Sequence, residues 1–564
     1  MAKIVKKKKK KLGSGGFSAR SSGGTGKIVT DLRPKYVPKM PPCMNACPNE
    51  TSIREIITTI AQAEKKEKPY EIAFTEAFDL LMEKNPFPAV CGRVCPHPCE
   101  SECNRKEKDG AVSINNIERF VGDWAIEHQL KPKKKSEEVY ADKIAVIGAG
   151  PAGLSCAYQL ALQGYPVTVF EAFPKPGGML RYGIPEYRLP RDILDIEIDR
   201  ILELGVELKC NVCIGRDISY DDLKKEYKVI FVGIGAHKGL PLNVTGEDAE
   251  NVYTGADFLH RVNAGESLDI GKKVIIIGGG DSAIDAARVS LRMGAEPVIL
   301  YRRTIKEMPA IDHEVHEAER EGIRMEFLAA PVEMLQGENG RATGMKCIRM
   351  ELGEPDDSGR RRPVPIEGSE FDVEADTIIA AISQEPDFTG VEHLREGRDW
   401  IKADDHGVTK EESVFAGGDA IALGLVTMAI FHGRRAAELI HCNLRGIPPE
   451  PRPDLPLIKH DRMKLDFYEP KNRHDASSIP PEARLQDPWA EVENGLTREE
   501  AIEEAMRCMS CGSCFDCGTC WKFCQDNAIV KPPVPFEPYR FKLEFCQGCK
   551  KCAEECPCGY IEME

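Results

Sequence analysis

The chain has 564 residues, enough for several domains with sizeable cores. Its formal net charge of −15 argues against nucleic acid as the main partner, and no apolar run reaches the roughly 18 residues that a membrane span needs. The 22 cysteines crowd toward the two ends instead of forming the even framework of a small secreted domain, so they are expected as metal ligands in a reducing cytoplasm.

Residues 1–38 read as a disordered basic tail. The run Lys6–Lys11 sits in a Gly/Ser-rich stretch up to about Lys27 with too few apolar groups to build a core. A solvated tail is the plain reading, and a docking arm for an acidic partner the sharper one. No apolar segment follows the basic start, so no signal peptide is expected. An irregular cysteine array comes next: Cys43 and Cys47, then Cys91, Cys95, Cys99 and Cys103. Between its parts, Ser52 and Glu55 form a capping-box pattern that opens a helix with Ile53, Ile56, Ile57 and Ile60 on its apolar face. Pro96 and Pro98 forbid a regular helix through the later cysteines. That ladder is expected to be a loop wrapped around a bound group, the alternative being free buried thiols.

Two near copies of a strand–glycine turn–helix–strand unit follow, Lys143–Ala172 and Lys273–Arg303. In the first, Gly148 allows the tight turn, Gly150 lets a pyrophosphate approach the backbone, and Gly153 lets helix and strand pack closely. Phosphates would sit on the free N–H groups of the helix N-terminus. Glu171 lies roughly 20 residues on, where an acid can accept hydrogen bonds from a ribose diol. The second copy has Gly278, Gly280 and Ala283 in these places, with Asp281 and Ser282 beside them. Matching PVTVFEA to PVILYRR sets Arg302 opposite Glu171, and Arg302 with Arg303 suits the extra phosphate of NADPH. Two different dinucleotides are therefore expected, in an α/β fold with two Rossmann-like domains. NADH remains the alternative nicotinamide.

Farther on, the apolar stretch Ala420–Phe431 fits a buried helix. Residues 449–500, Pro-rich between about Pro449 and Pro488, read as a linker. Residues 501–564 read as a ferredoxin-like domain with two clusters. Cys514, Cys517, Cys520 and Cys524 follow C-x2-C-x2-C-x3-C, and Cys546, Cys549, Cys552 and Cys556 repeat it before Pro557. In this pattern the fourth cysteine of each run serves the other cluster. Cys514, Cys517, Cys520 and Cys556 are thus expected on one [4Fe–4S] cluster, and Cys546, Cys549, Cys552 and Cys524 on the other. Zinc knuckles use paired C-x2-C units and suit this array poorly. Cys508, Cys511 and Cys558 are expected to be spare.

The stretches NPFPAVCGRVCPHPCESEC, GAGPAG, PGGMLRYGIPEYRLP, VGIGAHKG, GGGDSAID, YRR and VFAGGDA together resemble the flavoprotein family of the glutamate synthase small subunit, over about residues 40–445. The resemblance implies a helical iron–sulfur domain (39–138), an FAD domain in two parts (139–270 and 376–448) and an NAD(P)H domain inserted between them (271–375). It implies FAD contacts at Gly148, Gly150, Gly153, Glu171, Gly178, Leu180, Arg181, Gly418 and Asp419. A helix beginning near Val426–Thr427 would aim its positive end at the flavin, and Arg181, Val426 and Thr427 would shape the flavin site. One N-terminal cluster would be held by Cys47, Cys95, Cys99 and Glu118, and a second would use Cys43 and Cys103. The family's two further cysteines upstream of Cys43 are absent here. The second cluster is then either completed by Cys91 or not formed. The segment PPCMNACPN and the ferredoxin-like tail further resemble the DsrL group of iron–sulfur flavoproteins, associated with dissimilatory sulfite reductase.

The expected function is NAD(P)H-linked electron transfer, because a flavin converts between hydride and the single electrons that clusters carry. Hydride transfer obliges no acid or base, so no catalytic residue is assigned. The expected partners are a nicotinamide nucleotide and a sulfite reductase-like protein or ferredoxin, with homodimerisation open, in the cytoplasm. The rival readings are a glutamate synthase small subunit or ferredoxin:NADP transhydrogenase-type subunit, and a non-enzymatic scaffold that keeps the cofactor folds.

Overall fold

The computed structural model describes residues 30–338, 340–357, 359–397 and 400–564. The predicted basic tail up to residue 29, with Lys6–Lys11, lies outside them. The chain divides into a larger unit, residues 38–515 and 557–560, and a smaller one built from the segments up to Val37, Asp516–Cys556 and Ile561–Glu564. Among the described residues no helix is long and apolar enough to cross a membrane.

Two parallel sheets organise the larger unit. The first runs, in spatial order, Val414–Ala416, Val229–Val232, Ile144–Ile147, Val167–Phe170 and Glu207–Lys209. Its three central strands are buried at every position, as expected where helices cover both faces of a parallel sheet. The second runs Arg324–Phe327, Glu296–Tyr301, Lys273–Ile277, Thr377–Ala380 and Val252–Thr254. Two of these strands fall outside the range 271–375 expected for the inserted domain. They are only three and four residues long, too short to show periodicity in the sequence. An antiparallel pair, Lys238–Gly239 with Gln384–Glu385, marks where the chain leaves and re-enters the first domain.

The registers correct the expected equivalence of Glu171 and Arg302. Phe170 lies opposite Ile147, and Leu300 opposite Ile277. Counting from the turn, Glu171 corresponds to Tyr301, and Arg302 stands one residue beyond. The matching proline and valine of PVTVF and PVILY had shifted the comparison by one.

Helices form the N-terminal part. Ile53–Ala61 buries Ile53, Ile56, Ile57 and Ile60, the expected apolar face. Its capping box does not form, because Glu55 accepts from Arg54 at 2.7 Å instead. The cysteine ladder breaks where the prolines stand: Pro88–Val94 and Pro98–Ser101 are separate short helices. The helix Arg498–Ala505 buries Ala501, Glu504 and Ala505 within this same larger unit. Glu504 accepts from the Ser113 amide at 2.7 Å and from Arg507 at 2.6 Å. This segment thus joins the N-terminal helices, and the range 501–564 expected for the ferredoxin-like domain begins too early.

Residues 449–500 are also more than a linker. The Arg484 side chain is buried against Glu317 and Glu321, and Glu491 pairs with Arg93 and Arg119. Val492 is buried and its amide donates to the Tyr187 carbonyl at 3.0 Å. Pro-rich composition predicts an extended path, but anchoring by buried ion pairs depends on partners distant in sequence.

The predicted buried helix near Ala420–Phe431 begins at Val426 and runs to Arg445. It crosses Pro151–Leu162 closely at Gly433, where an added Cβ would lie 2.1 Å from the Ala152 carbonyl oxygen.

Candidate functional site

The glycine turn of the first sheet opens onto a cavity of 770 Å³, lined among others by Gly148, Gly150, Glu171, Gly178, Gly418 and Asp419. Gly148 has φ +99°, and a Cβ there would lie 2.3 Å from the Gly233 carbonyl oxygen. Gly153 packs behind it, its Cβ position 2.0 Å from the Gly148 oxygen. At Gly150 the nearest atom to an added Cβ is 3.9 Å away, so this glycine faces the cavity rather than the protein. That is the arrangement a pyrophosphate needs.

Glu171 is buried and fixed by the amides of Ala149 (2.8 Å) and Phe173 (2.9 Å). Burial raises its pKa, with the Phe173 and Ala149 amides acting in the opposite direction. Asp419 accepts from the Gly424 amide at 3.1 Å, and burial lifts its pKa to about 6. The residues fit an FAD: a large cavity, a bare glycine turn at one end and a held carboxylate for the ribose.

Among the residues expected at the flavin, Gly153, Leu180, Arg181, Val426 and Thr427 do not line this cavity. Leu180 is buried in the core. Arg181 turns away to Asp195 and donates to the Pro176 carbonyl at 2.5 Å, so it holds the Gly177–Gly178 loop from behind. Val426 and Thr427 open their helix as expected, but Ala429, one half-turn on, is the residue that lines the cavity.

Sequence reasoning missed His237 and His260, which also line the cavity. Burial and then the neighbouring His260 bring the His237 pKa down to about 4, so His237 is neutral at physiological pH. The available signal was the histidine in VGIGAHKG. His260 stacks on Tyr182 with ring centroids 4.5 Å apart.

In the second copy Gly278 has φ +149° and its Cβ position lies 2.2 Å from the Ala381 oxygen. At Gly280 the nearest atom is 3.9 Å away, again leaving room for a phosphate. Asp281 begins the helix Asp281–Arg292, Ser282 follows half-buried, and Ala283 is buried. The Asp281 carboxylate accepts from the Ile311 amide at 2.9 Å. Tyr301, at the position equivalent to Glu171, covers Gly279 with its ring and donates to the Glu307 carbonyl at 2.8 Å. An acid is thus absent where it would repel a 2′-phosphate.

Arg302 is exposed beyond Tyr301. Arg303 is buried, paired with Asp356 at 2.5 Å and donating to the Arg361 carbonyl at 2.8 Å. Arg303 is therefore a strut of the antiparallel sheet rather than a phosphate ligand. Arg302→Ala is expected to raise KM for NADPH by roughly 10–100-fold, the loss of a charge-assisted contact of about 1.5–3 kcal/mol. Steady-state kinetics with NADPH and NADH check this, since KM for NADH should not move.

The cysteines gather in separate sets. Cys47, Cys95 and Glu118 lie close enough to feel one another's charge, and Cys99 feels Cys47 and Cys95. Burial raises Glu118 to about 7, against the hydrogen bond from Asn85 at 2.7 Å. Cys95 is pushed up to about 12 by burial and by Glu118, with the His97 amide and the Thr427 hydroxyl acting in the opposite direction.

Cys43 and Cys103 line a different pocket, and Cys508 and Cys511 line it with them. These two, expected to be spare, follow the helix Arg498–Ala505 and stand beside Cys43 and Cys103. Cys91 does not complete that set. It is buried next to Glu118 and Cys95, its thiol 3.7 Å from the Asn85 side-chain oxygen Oδ1.

In the smaller unit Cys524, Cys546, Cys549 and Cys552 line one pocket, and this unit also holds Cys517, Cys520 and Cys556. Cys514 belongs to the larger unit. Among the described residues no three His, Cys, Asp or Glu side chains converge to hold a single ion. Cysteines gathered in sets in this way fit iron–sulfur clusters, in which each iron takes its own protein ligand.

Residues 142–433 match the family described as pyridine nucleotide-disulphide oxidoreductase, and residues 36–130 match dihydropyrimidine dehydrogenase domain II, 4Fe-4S cluster. The chain belongs to the pyridine nucleotide-disulphide oxidoreductases. This oxidoreductase is 39% identical over 512 residues to the NADPH-Fe(3+) oxidoreductase subunit beta of Geobacter sulfurreducens (strain DL-1 / KN400), covering 83% of this chain and 75% of that protein. It is 38% identical to the NADP(+)-dependent formate dehydrogenase subunit beta of Moorella thermoacetica, over 83% of this chain and 70% of the relative. It is 37% identical to the glutamate synthase [NADPH] small chain of Escherichia coli (strain K12), over 64% and 82%. The family resemblance read from the motifs holds. The oxidoreductase is an NADPH-linked electron-transfer enzyme that depends on FAD and [4Fe–4S] clusters.

Proposed function

We propose that this oxidoreductase passes electrons between NADPH and a redox partner protein, and that the partner is dissimilatory sulfite reductase. One observation carries the internal route. The helix Val426–Arg445 touches both centres in its first turn: Thr427 neighbours Cys95, and Ala429 lines the FAD cavity. When bound, FAD supplies the exchange between hydride and single electrons.

The chain's own residues do the rest. Gly148, Gly150 and the free amides in the first turn of Pro151–Leu162 would receive the pyrophosphate, and Glu171 would orient the ribose. The first turn of Val426–Arg445 contains no acid, so its free N–H groups favour negative charge beside the cavity. His237 is neutral there and adds no charge that would offset it.

The partner assignment rests on the resemblance of PPCMNACPN and the second cysteine array to the sulfite reductase-associated group. A second reading, service to a glutamate synthase large subunit, is favoured by the identity with the small chain. That relative matches 64% of this chain, against 83% for the iron and formate enzyme subunits, so it leaves more of the chain unaccounted for. NADPH oxidation by the purified protein is measured with sulfite and dissimilatory sulfite reductase, and with glutamine, 2-oxoglutarate and the glutamate synthase large subunit. Sulfite-dependent oxidation is expected. Turnover only in the second arm assigns the enzyme to glutamate synthase instead.

A further inference from the structure

We propose that Cys43, Cys103, Cys508 and Cys511 together hold a [4Fe–4S] cluster, assembled from the two ends of the larger unit. All four line one pocket, although Cys103 and Cys508 are separated by some four hundred residues of chain. The inference does not depend on which partner the enzyme serves.

The surroundings are dry. Ile53, Ile57, Val112 and Ile114 line the pocket with the four cysteines, and Arg54 and Arg105 stand beside it, each paired with a carboxylate of its own, Glu55 and Asp109. Both arginines also fix the late segment in place. Arg54 donates to the carbonyls of Cys511 (2.9 Å) and Lys39 (2.8 Å), and Arg105 donates to the Arg507 carbonyl. Arg507 in turn reaches the carbonyls of Asp109, Gly110 and Ala111 at 2.8–2.9 Å. Loss of the cysteines upstream of Cys43 is thereby answered by a C-x2-C pair that arrives from residues 508–511.

A structural zinc would draw four ligands to one point at about 2.3 Å, and metal content separates it from a cluster. The four cysteines surround one small apolar pocket. The site adjoins the Cys47–Cys95–Cys99 set, since Cys99 feels the charge of Cys43. In sequence, Cys511 precedes Cys514 of the ferredoxin-like array by three residues. The cluster would therefore extend the electron route beyond the flavin-side cysteines.

The test is iron, zinc and FAD content, with EPR after dithionite reduction, on anaerobically purified full-length protein. The wild type is expected to hold about sixteen irons per FAD, four clusters of four. Cys508→Ser/Cys511→Ser should hold about twelve with FAD unchanged, and Cys91→Ser should stay at about sixteen. Cys511→Asp, which keeps a ligand atom, should retain the iron but alter the EPR of one cluster. That variant decides the matter if the double substitution also loses FAD. Iron content and EPR unchanged in all of these variants would overturn the proposal, as would one zinc per chain that the double variant lacks.

Discussion

Glu321→Ala is expected to lower stability by about 3–5 kcal/mol, the range for breaking a buried ion network by removing one partner. The Glu321 side chain is 1% exposed and pairs with Arg288 at 2.8 Å, Arg292 at 2.7 Å and Arg484 at 2.8 Å. Arg288 and Arg292 also lie over the Tyr187 ring, 4.7 and 3.9 Å from its centroid. Without the carboxylate three buried guanidinium groups lose their common counter-charge, and residues 480–492 lose their anchor on the nicotinamide domain. Burial by itself would raise the Glu321 pKa, but the hydrogen bonds from Arg292 and Arg288 hold it down at about 2. A carboxyl whose folded pKa is depressed stabilises the fold above its unfolded pKa, near 4.5. That contribution is lost as pH falls from about 4.5 toward 2. Thermal melts at pH 7 should show the full difference between wild type and variant, and melts near pH 3 a smaller one. A loss below about 1 kcal/mol at pH 7 would mean that the network is not what holds this segment.

Gly153→Ala is expected to yield protein without FAD. The new methyl would meet the Gly148 carbonyl oxygen at 2.0 Å and Val146 Cγ1 at 3.0 Å. The first of these is backbone and cannot rotate away. Overpacking of this kind costs about 1–3 kcal/mol, and the atom displaced belongs to the phosphate turn itself. The second copy already carries Ala283 at this place, so its turn accommodates a methyl. Ala283→Gly should accordingly keep NADPH binding. The ratio of flavin to protein absorbance in the purified variants decides it, and full FAD content in Gly153→Ala would contradict the account of the turn.

The parts legible in the sequence were those set by local spacing. Gly148, Gly150 and Gly153 had to follow a strand and open a helix for their spacing to make sense, and the structure has them there. Tertiary choices were not legible. Nothing near Cys508 says that it will meet Cys43, because a helix carrying Ala501 and Glu504 must first dock among helices some four hundred residues earlier. Arg303 and Arg302 look alike in the sequence, and only the sheet pairing Ala342–Pro355 with Arg361–Pro365 turns one of them inward to Asp356. Arg181 was misread for the same reason, since its partner Asp195 sits on the next helix. Glu171 was set opposite Arg302 instead of Tyr301 because similar side chains, not hydrogen-bonded registers, were matched.

The central claim is that one chain joins a nicotinamide site to iron–sulfur clusters through FAD. Anaerobic titration of the purified protein with NADPH, read by flavin absorbance and by cluster EPR on the same samples, tests it most directly. The account predicts that the flavin band bleaches and that reduced-cluster signals grow in the same titration. Bleaching of the flavin with no cluster signal at any NADPH excess, while dithionite produces that signal, would contradict it.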